Sequence, residues 1–180
     1  MFALDGASGD FWVFGYGSLM WNPGFAHEEA VKARLFGYHR ALCIHSRLYR
    51  GTPERSGLVM GLDRGGSCVG MAFRVAAANE AAVTRYLYDR EMMNYVYRDL
   101  RLTIRTGDGR RAAALAFVAD QTNPQFAGHL SVEEAAKIVS GARGAAGTNE
   151  DYVFNTLAHL REIGIRDHWL EEVGRLIGQE

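Results

Sequence analysis

The sequence lacks most of the features that mark specialised protein classes. Its 180 residues hold two cysteines, Cys43 and Cys68, enough for at most one bridge and without the spacing of a metal site. Both lie in apolar runs, so buried thiols in a reducing compartment are expected rather than a disulfide. Neither sign of charge is in excess. Lys and Arg number 20 against 21 Asp and Glu, a formal net charge of −1, which gives no reason to expect nucleic acid or an anionic membrane as partner. No apolar run approaches membrane-spanning length, and Met1 to Asp10 has neither the basic start nor the apolar stretch of a signal peptide. Internal repeats, low-complexity tracts and linkers are lacking too. The reading is one soluble, cytoplasmic domain over residues 1–180 with a short N-terminal extension at 1–10; a hydrophobic content of 48% is ample for a single core.

The usual catalytic motifs are also missing. Gly15 and Gly17 begin a dinucleotide fingerprint, but Met20 stands where its third glycine belongs. Ser18 is flanked two residues away on each side by Tyr16 and Met20, not by the glycines of a serine-hydrolase elbow. The six histidines form no H-E-x-x-H pair and no Cys/His cluster, so no metal site is expected. No P-loop, basic stripe or aromatic nucleic-acid signature appears.

What is present centres on Trp12 to Met20 (WVFGYGSLM). Phe11 to Phe14 are bulky and apolar on both faces, as in a strand buried on both sides. Gly15 and Gly17 then remove two Cβ atoms and tolerate positive φ. Either they simply let the strand leave its sheet, or they bare main-chain N–H groups in a cup suited to an anion or oxyanion.

Further along, Trp21-Asn22-Pro23-Gly24 is a turn. Val31 to Gly37 and Ala41 to Ser46 read as two strands joined near Tyr38 and His39. Ser46 to Gly57 reads as a surface loop whose Arg47, Arg50 and Arg55 are either solvated or available to the carboxylates of a small acidic substrate. Leu58 to Asp63 and Val69 to Ala76 look like a hairpin closed by Arg64-Gly65-Gly66-Ser67. A helix capped by Asn79 follows, with Val83, Tyr86, Leu87 and Arg90 on one face. Tyr95 to Thr106 and Arg110 to Asp120 form a second hairpin through Gly107-Asp108-Gly109, and Thr122 to Gly128 is a loop. Ser131 with Glu134 makes a capping box, Thr148 with Asp151 starts another helix that Gly164 ends, and Asp167 to Ile177 supplies the last. Strands first and helices last predict an α+β fold whose antiparallel sheet curls toward a barrel.

Glu91 closes the helix after Asn79, beside its apolar face. The negative helix end and partial burial both favour the neutral acid, which raises the pKa and makes a better proton acceptor. The competing reading is an ordinary ion pair with Arg90 or Arg98 on a wet surface.

Several blocks together resemble a family: Val13 to Gly24, Gly37-Tyr38-His39-Arg40, Arg50 to Arg55, Tyr86-Leu87 with Arg90-Glu91, and Asn149 with Asp151-Tyr152. In this order they are similar to the ChaC family of glutathione-specific γ-glutamylcyclotransferases, over about Trp12 to Ile177. The resemblance implies a γ-glutamylcyclotransferase-like mixed or antiparallel barrel with flanking helices. It implies a lyase that converts glutathione to 5-oxoproline and cysteinylglycine with no cofactor and no metal. Glu91 matches the family's catalytic acid/base. Substrate contacts are implied at Val13, Phe14, Gly15, Tyr16, Gly17, Ser18 and Leu19, where Tyr16 to Leu19 hold the γ-glutamyl group, and at Arg50 and Tyr152. Phe126 stands where some relatives carry tyrosine, and Tyr95 and Val96 stand where some carry paired glycines. A cyclotransferase for other γ-glutamyl amino acids or amines, and a non-catalytic regulator of a cation transporter, are the alternative functions. The oligomeric state, monomer or dimer, is left open.

Overall fold

A computed structural model describes residues 11–91 and 96–178. The N-terminal extension and Tyr95 lie outside them. Five strands, β1 (Phe11–Gly15), β2 (Glu29–Ser46), β3 (Gly57–Val75), β4 (Tyr97–Thr106) and β5 (Arg111–Ala119), close into a barrel in the order β1-β3-β2-β4-β5. The helices are α1 (Glu80–Glu91), α2 (Val132–Val139), α3 (Asn149–Glu162) and α4 (His168–Ile177), and a two-residue ribbon pairs β6 (Arg143–Gly144) with β7 (Gly147–Thr148). The fold is α+β, as expected. The barrel is mixed, because β1 runs antiparallel to β3 and parallel to β5. β1 thus has a neighbour on each edge, and every one of its residues is buried, as the apolar character of Phe11 to Phe14 on both faces requires.

Two expected reversals are absent. Val31 to Gly37 and Ala41 to Ser46 are parts of one 18-residue strand, and the glycine pair at 65 and 66 lies inside the 19-residue β3 rather than closing a hairpin. The positive φ values inferred for that pair are present, 99° at Gly65 and 66° at Gly66, and Gly37 has φ of 86°. They bend long strands that keep their direction, the use a curled sheet makes of glycine. His39 Nδ1 meets the Gly65 carbonyl at 3.0 Å across this bend. The second expected hairpin is real: Gly109 has φ of 94° and donates to the Thr106 carbonyl at 2.9 Å.

The chain divides into two compact units, one of residues up to Arg40 with Leu62–Asp120, the other of Ala41–Gly61 with residues from Gln121 onward. In the first, α1 lies on a core of Phe11, Val13, Leu19, Val75, Val83, Leu87, Leu115 and Phe117. Asn79 does not cap α1 as expected; the chain enters that helix through a 3-10 turn, Ala77–Asn79. In the second unit α2 and α3 each pack on α4. The capping box of Ser131 and Glu134 and the Thr148 cap, whose side chain accepts from the Asp151 N–H, form as expected. Cys43 and Cys68 are buried thiols. No helix among the described residues is long and apolar enough to cross a membrane.

Gly70 shows how closely β3 and β1 approach. A Cβ there would stand 2.2 Å from the Gly15 carbonyl oxygen and 2.8 Å from Phe14 Cζ. Gly70→Ala is therefore expected to cost about 3 kcal/mol or more through overpacking, read as a lower urea midpoint; an unchanged midpoint would contradict this account of the β1–β3 contact.

Candidate active site

The stretch from Gly15 to Gly24 leaves the barrel at the end of β1. Ser18 to Met20 form one 3-10 turn, with the Met20 N–H donating to the Gly17 carbonyl and the Asn22 N–H to the Ser18 carbonyl, both at 2.9 Å. The N–H groups that open such a turn have no upstream carbonyl to reach within it. The turn packs back onto Gly15, where a Cβ would lie 3.0 Å from the Leu19 Cβ, so that glycine serves a close approach. Around Gly17 nothing lies within 4 Å of where a Cβ would stand. Neither glycine has the positive φ that the sequence allowed; Gly17 has φ of −129°. Val13 and Phe14 are fully buried strand residues, Val13 within the core under α1. Their side chains serve packing, while Tyr16 and Leu19 are buried at the base of the loop and Ser18 is exposed.

Two arginines fix this loop. Arg40, buried on β2, donates from Nε to the Tyr16 carbonyl at 2.6 Å and from Nη2 to the Val69 carbonyl at 2.7 Å. It holds the loop from beneath. Arg90, one residue before the end of α1, binds from the other direction: Nη2 donates to Ser18 Oγ at 2.8 Å, and Nη1 donates to the Asn22 carbonyl at 2.7 Å and the Tyr86 hydroxyl at 3.0 Å. Gly24, with φ of 73°, sits so near Tyr86 that a Cβ would fall 2.0 Å from its hydroxyl. The loop and the last turn of α1 are thus clasped through Arg90 and Tyr86.

Glu91 shares that clasp. Its Oε1 lies 3.2 Å from Arg90 Nε, so one guanidinium touches both the carboxylate and the Ser18 hydroxyl. The side chain is only 19% exposed. Burial pushes the carboxyl above its ordinary value, while the Arg90 charge and hydrogen bond pull the other way without cancelling it. Both readings made from the sequence therefore hold in part: Glu91 is paired with Arg90, not Arg98, yet it is partly buried and its proton affinity is raised.

In the second unit, two arginines of the loop after β2, Arg50 and Arg55, serve as pins, while Arg47 is exposed. Arg50 Nη1 donates to the carbonyls of Ala146 at 2.6 Å and Thr148 at 3.2 Å, and Arg55 Nη2 to that of Ser140 at 2.8 Å. Arg50 also lies over the Tyr152 ring, 5.4 Å from its centre, and the Tyr152 hydroxyl accepts from the Met60 N–H at 3.0 Å. Beside them the fully buried Asn149 pairs with both main-chain groups of Leu58. Arg40, Tyr86 and Asn149 have structural parts here that sequence reasoning did not assign. The available signal for Arg40 was a charged residue on the inward-facing alternation of a strand.

Comparison with known proteins agrees with the fold and the motif blocks. A solved structure of a γ-glutamylcyclotransferase specific to glutathione from yeast superposes with a TM-score of 0.84 over 94% of this chain and 96% of that one, at 19% identity. This places the barrel in the γ-glutamylcyclotransferase-like class of folds. A profile of ChaC-like proteins matches residues 11–180. The chain is 32% identical over 165 residues to the glutathione-specific γ-glutamylcyclotransferase of Escherichia coli, covering 92% of this chain and 71% of that protein. It is 33% identical over 174 residues to the Schizosaccharomyces pombe protein of the same name, covering 86% and 85% respectively. The chain belongs to the ChaC-like family.

Two outcomes follow from the clasp. Arg40→Leu leaves one buried and one partly buried carbonyl without this donor, and a loss of about 2–4 kcal/mol is expected in chemical denaturation; a loss below the scatter of replicate measurements would contradict the role given to Arg40. For Glu91 the folded pKa lies above the unfolded one, so its contribution to stability is present in acid and lost as pH rises through the folded pKa. Glu91→Gln should therefore melt higher than the natural protein at neutral pH, with the gap closing below the glutamate range; a gap that widens in acid would contradict the sign.

Proposed function

We infer that the protein is a γ-glutamylcyclotransferase that cleaves glutathione to 5-oxoproline and cysteinylglycine, with Glu91 as proton carrier. The observation that carries this reading is the single guanidinium of Arg90 that touches both a partly buried, proton-hungry carboxylate and the glycine-bearing loop. Family membership and the names of the relatives support the reaction over the regulator alternative.

The chemistry needs little from the enzyme because the substrate brings its own nucleophile. The α-amine of a γ-glutamyl amide can attack the γ-carbonyl and close a five-membered ring. At neutral pH that amine is mostly ammonium, since an α-amino group ordinarily titrates at about 8, so a proton must be removed before attack. Glu91 takes it. As the tetrahedral intermediate collapses, the C–N bond to the cysteinyl residue breaks, Glu91 returns the proton to the departing amine, and the ring nitrogen sheds its second proton, to the released amine, which leaves as ammonium. A carboxyl with raised pKa suits both directions. Oxyanion charge on the γ-carbonyl oxygen falls to main-chain N–H groups of Gly17 to Leu19, where loss of one such donor costs roughly 10² to 10³ in rate. The open space over Gly17 supports close approach of substrate to bare main chain. Folding the substrate so that amine and carbonyl meet supplies further acceleration.

Val13, Phe14 and Gly15 act in this reading by carrying the loop, and Tyr16 to Leu19 by holding the γ-glutamyl group. Arg50 and Tyr152 are further substrate contacts, supported by their match to the family's pattern. The reaction as written uses no cofactor and no metal. Residence in the cytoplasm, where glutathione is reduced and thiols such as Cys43 and Cys68 persist, belongs to the same proposal.

Incubation with glutathione and chromatography for 5-oxoproline tests the reading. Glu91→Gln is expected to bind glutathione within about threefold of the natural protein while product formation falls at least ~10³-fold, since it removes the proton carrier; near-normal turnover by that variant would remove Glu91 from the mechanism. The acid limb of kcat/KM should fall as Glu91 takes up its proton, at a pH above the ordinary glutamate value of 4.5. A limb at or below 4.5 would contradict it. Comparing turnover of glutathione with γ-glutamyl-alanine separates glutathione specificity from wider γ-glutamyl activity.

A further inference from the structure

The outer face of the first unit carries a row of positive charge that the cyclotransferase chemistry does not use. Strand register places Arg34 of β2 directly opposite Arg105 of β4, and Arg105 directly opposite Arg111 of β5. Residues so paired point to the same side of the sheet with Cβ atoms about 5 Å apart, and like charges in that position destabilise it. All three arginines are exposed, and Lys32 and Phe36 alternate with Arg34 on the same face of β2.

Other arginines of this unit meet carboxylates. Arg74 is paired with Glu28 and Glu29, Arg110 with Glu29 and Asp108, Arg101 with Glu80, and Arg90 with Glu91. Among the described residues no carboxylate pairs with Arg34, Arg105 or Arg111; Arg34 donates to Ser67 Oγ, at 2.9 Å. A groove of about 270 Å³ runs over this face, lined by Lys32, Arg34 and Arg105 and also by Phe36 and Val69. Phe36 is 51% exposed beside them, a large ring left on the surface where a polar residue would cost nothing.

We propose that this groove binds a nucleoside di- or triphosphate, its phosphates on Arg34, Arg105 and Lys32 and its base against Phe36. Guanidinium groups match phosphate oxygens in paired, charge-assisted hydrogen bonds, and an anion bridging Arg34 and Arg105 turns their repulsion into attraction. A flat base stacks on an exposed aromatic ring whatever its sequence identity. Arg111 extends the row on the far side of Arg105, outside the lining of the groove. None of these residues belongs to the Gly15–Gly24 loop or to α1, so the inference stands or falls independently of the cyclotransferase reading.

Calorimetric titration of the full-length protein with ADP, AMP, pyrophosphate and adenosine at low ionic strength tests it. ADP is expected to bind at least about tenfold more tightly than AMP or pyrophosphate, and adenosine not to saturate, because the two halves of the ligand contribute separately. Arg34→Gln and Arg105→Gln should each weaken ADP about tenfold, the scale of one charge-assisted pair. Phe36→Ser should weaken ADP and leave pyrophosphate unchanged, and Lys137→Gln on α2 should change neither. Arg105→Gln should also melt slightly higher than the natural protein without ligand, because it removes a like-charge contact. Failure of both ADP and pyrophosphate to bind, natural affinity for ADP in the two arginine variants, or binding only to duplex DNA or phosphatidylserine vesicles would overturn the proposal.

Discussion

The candidate site depends on one partly buried guanidinium-to-carboxylate contact at the end of α1. Arg90 offers a planar fork of donors, and the protein uses three sides of it: one for the Glu91 carboxylate, one for the Ser18 hydroxyl, one for the Asn22 carbonyl and the Tyr86 hydroxyl. A lysine in its place would supply charge without that geometry. The arrangement resolves a conflict built into Glu91. Burial alone would leave an uncompensated charge, whereas full pairing would remove the raised proton affinity that the proposed proton carrier needs. Here burial outweighs the arginine, so the group stays paired and basic at once.

Everything beneath the clasp keeps the loop and the helix in register with each other. Val13 and Leu19, from the strand and the loop, share one core with Val83 and Leu87 from α1. Leu87 is fully buried, and Glu91 follows one helical turn later, at the end of the helix where carbonyl dipoles point outward. Phe25 extends the packing by meeting Phe73 and Tyr86 edge-on, at 5.7 and 6.3 Å between ring centres. Arg40 completes the support from the barrel wall by occupying the Tyr16 carbonyl. The loop is thereby held without its own side chains being used up, and its main chain remains available at Gly17.

Much of this was legible from local patterns. The apolar start of β1, the Gly107-Asp108-Gly109 hairpin, the capping box at Ser131 and the amphipathic run from Val83 to Arg90 each carry their own cue within a few residues. Strand length was not legible. Gly65 and Gly66 have the dihedral angles of a turn, but whether such a pair reverses a strand or bends it depends on what the flanking segments pair with. Tyr38 and His39 likewise lie mid-strand where a break was expected. In the candidate site, the place of Glu91 at a helix end and of the glycine loop at a strand end was legible, because residue type and helix position constrain them. The parts played by Arg40, Tyr86 and Asn149 were not, because their partners lie 24, 62 and 91 residues away in the chain. The arginine row at 34, 105 and 111 was hidden for the same reason: Arg34 is far along the chain from the other two, and only strand register assembles the row.

The central claim is that the Glu91 carboxyl, held by Arg90 yet partly buried, binds its proton more tightly than an ordinary glutamate. Carbon-13 NMR of the glutamate side-chain carboxyls, with Glu91 assigned by its loss in Glu91→Gln, reads this directly. The account predicts a carboxyl that titrates above the ordinary glutamate value of 4.5 in the ligand-free protein and shifts further up when Arg90 is replaced by methionine, once the opposing charge is gone. A Glu91 signal that titrates at or below 4.5, or that moves down on loss of Arg90, would contradict it.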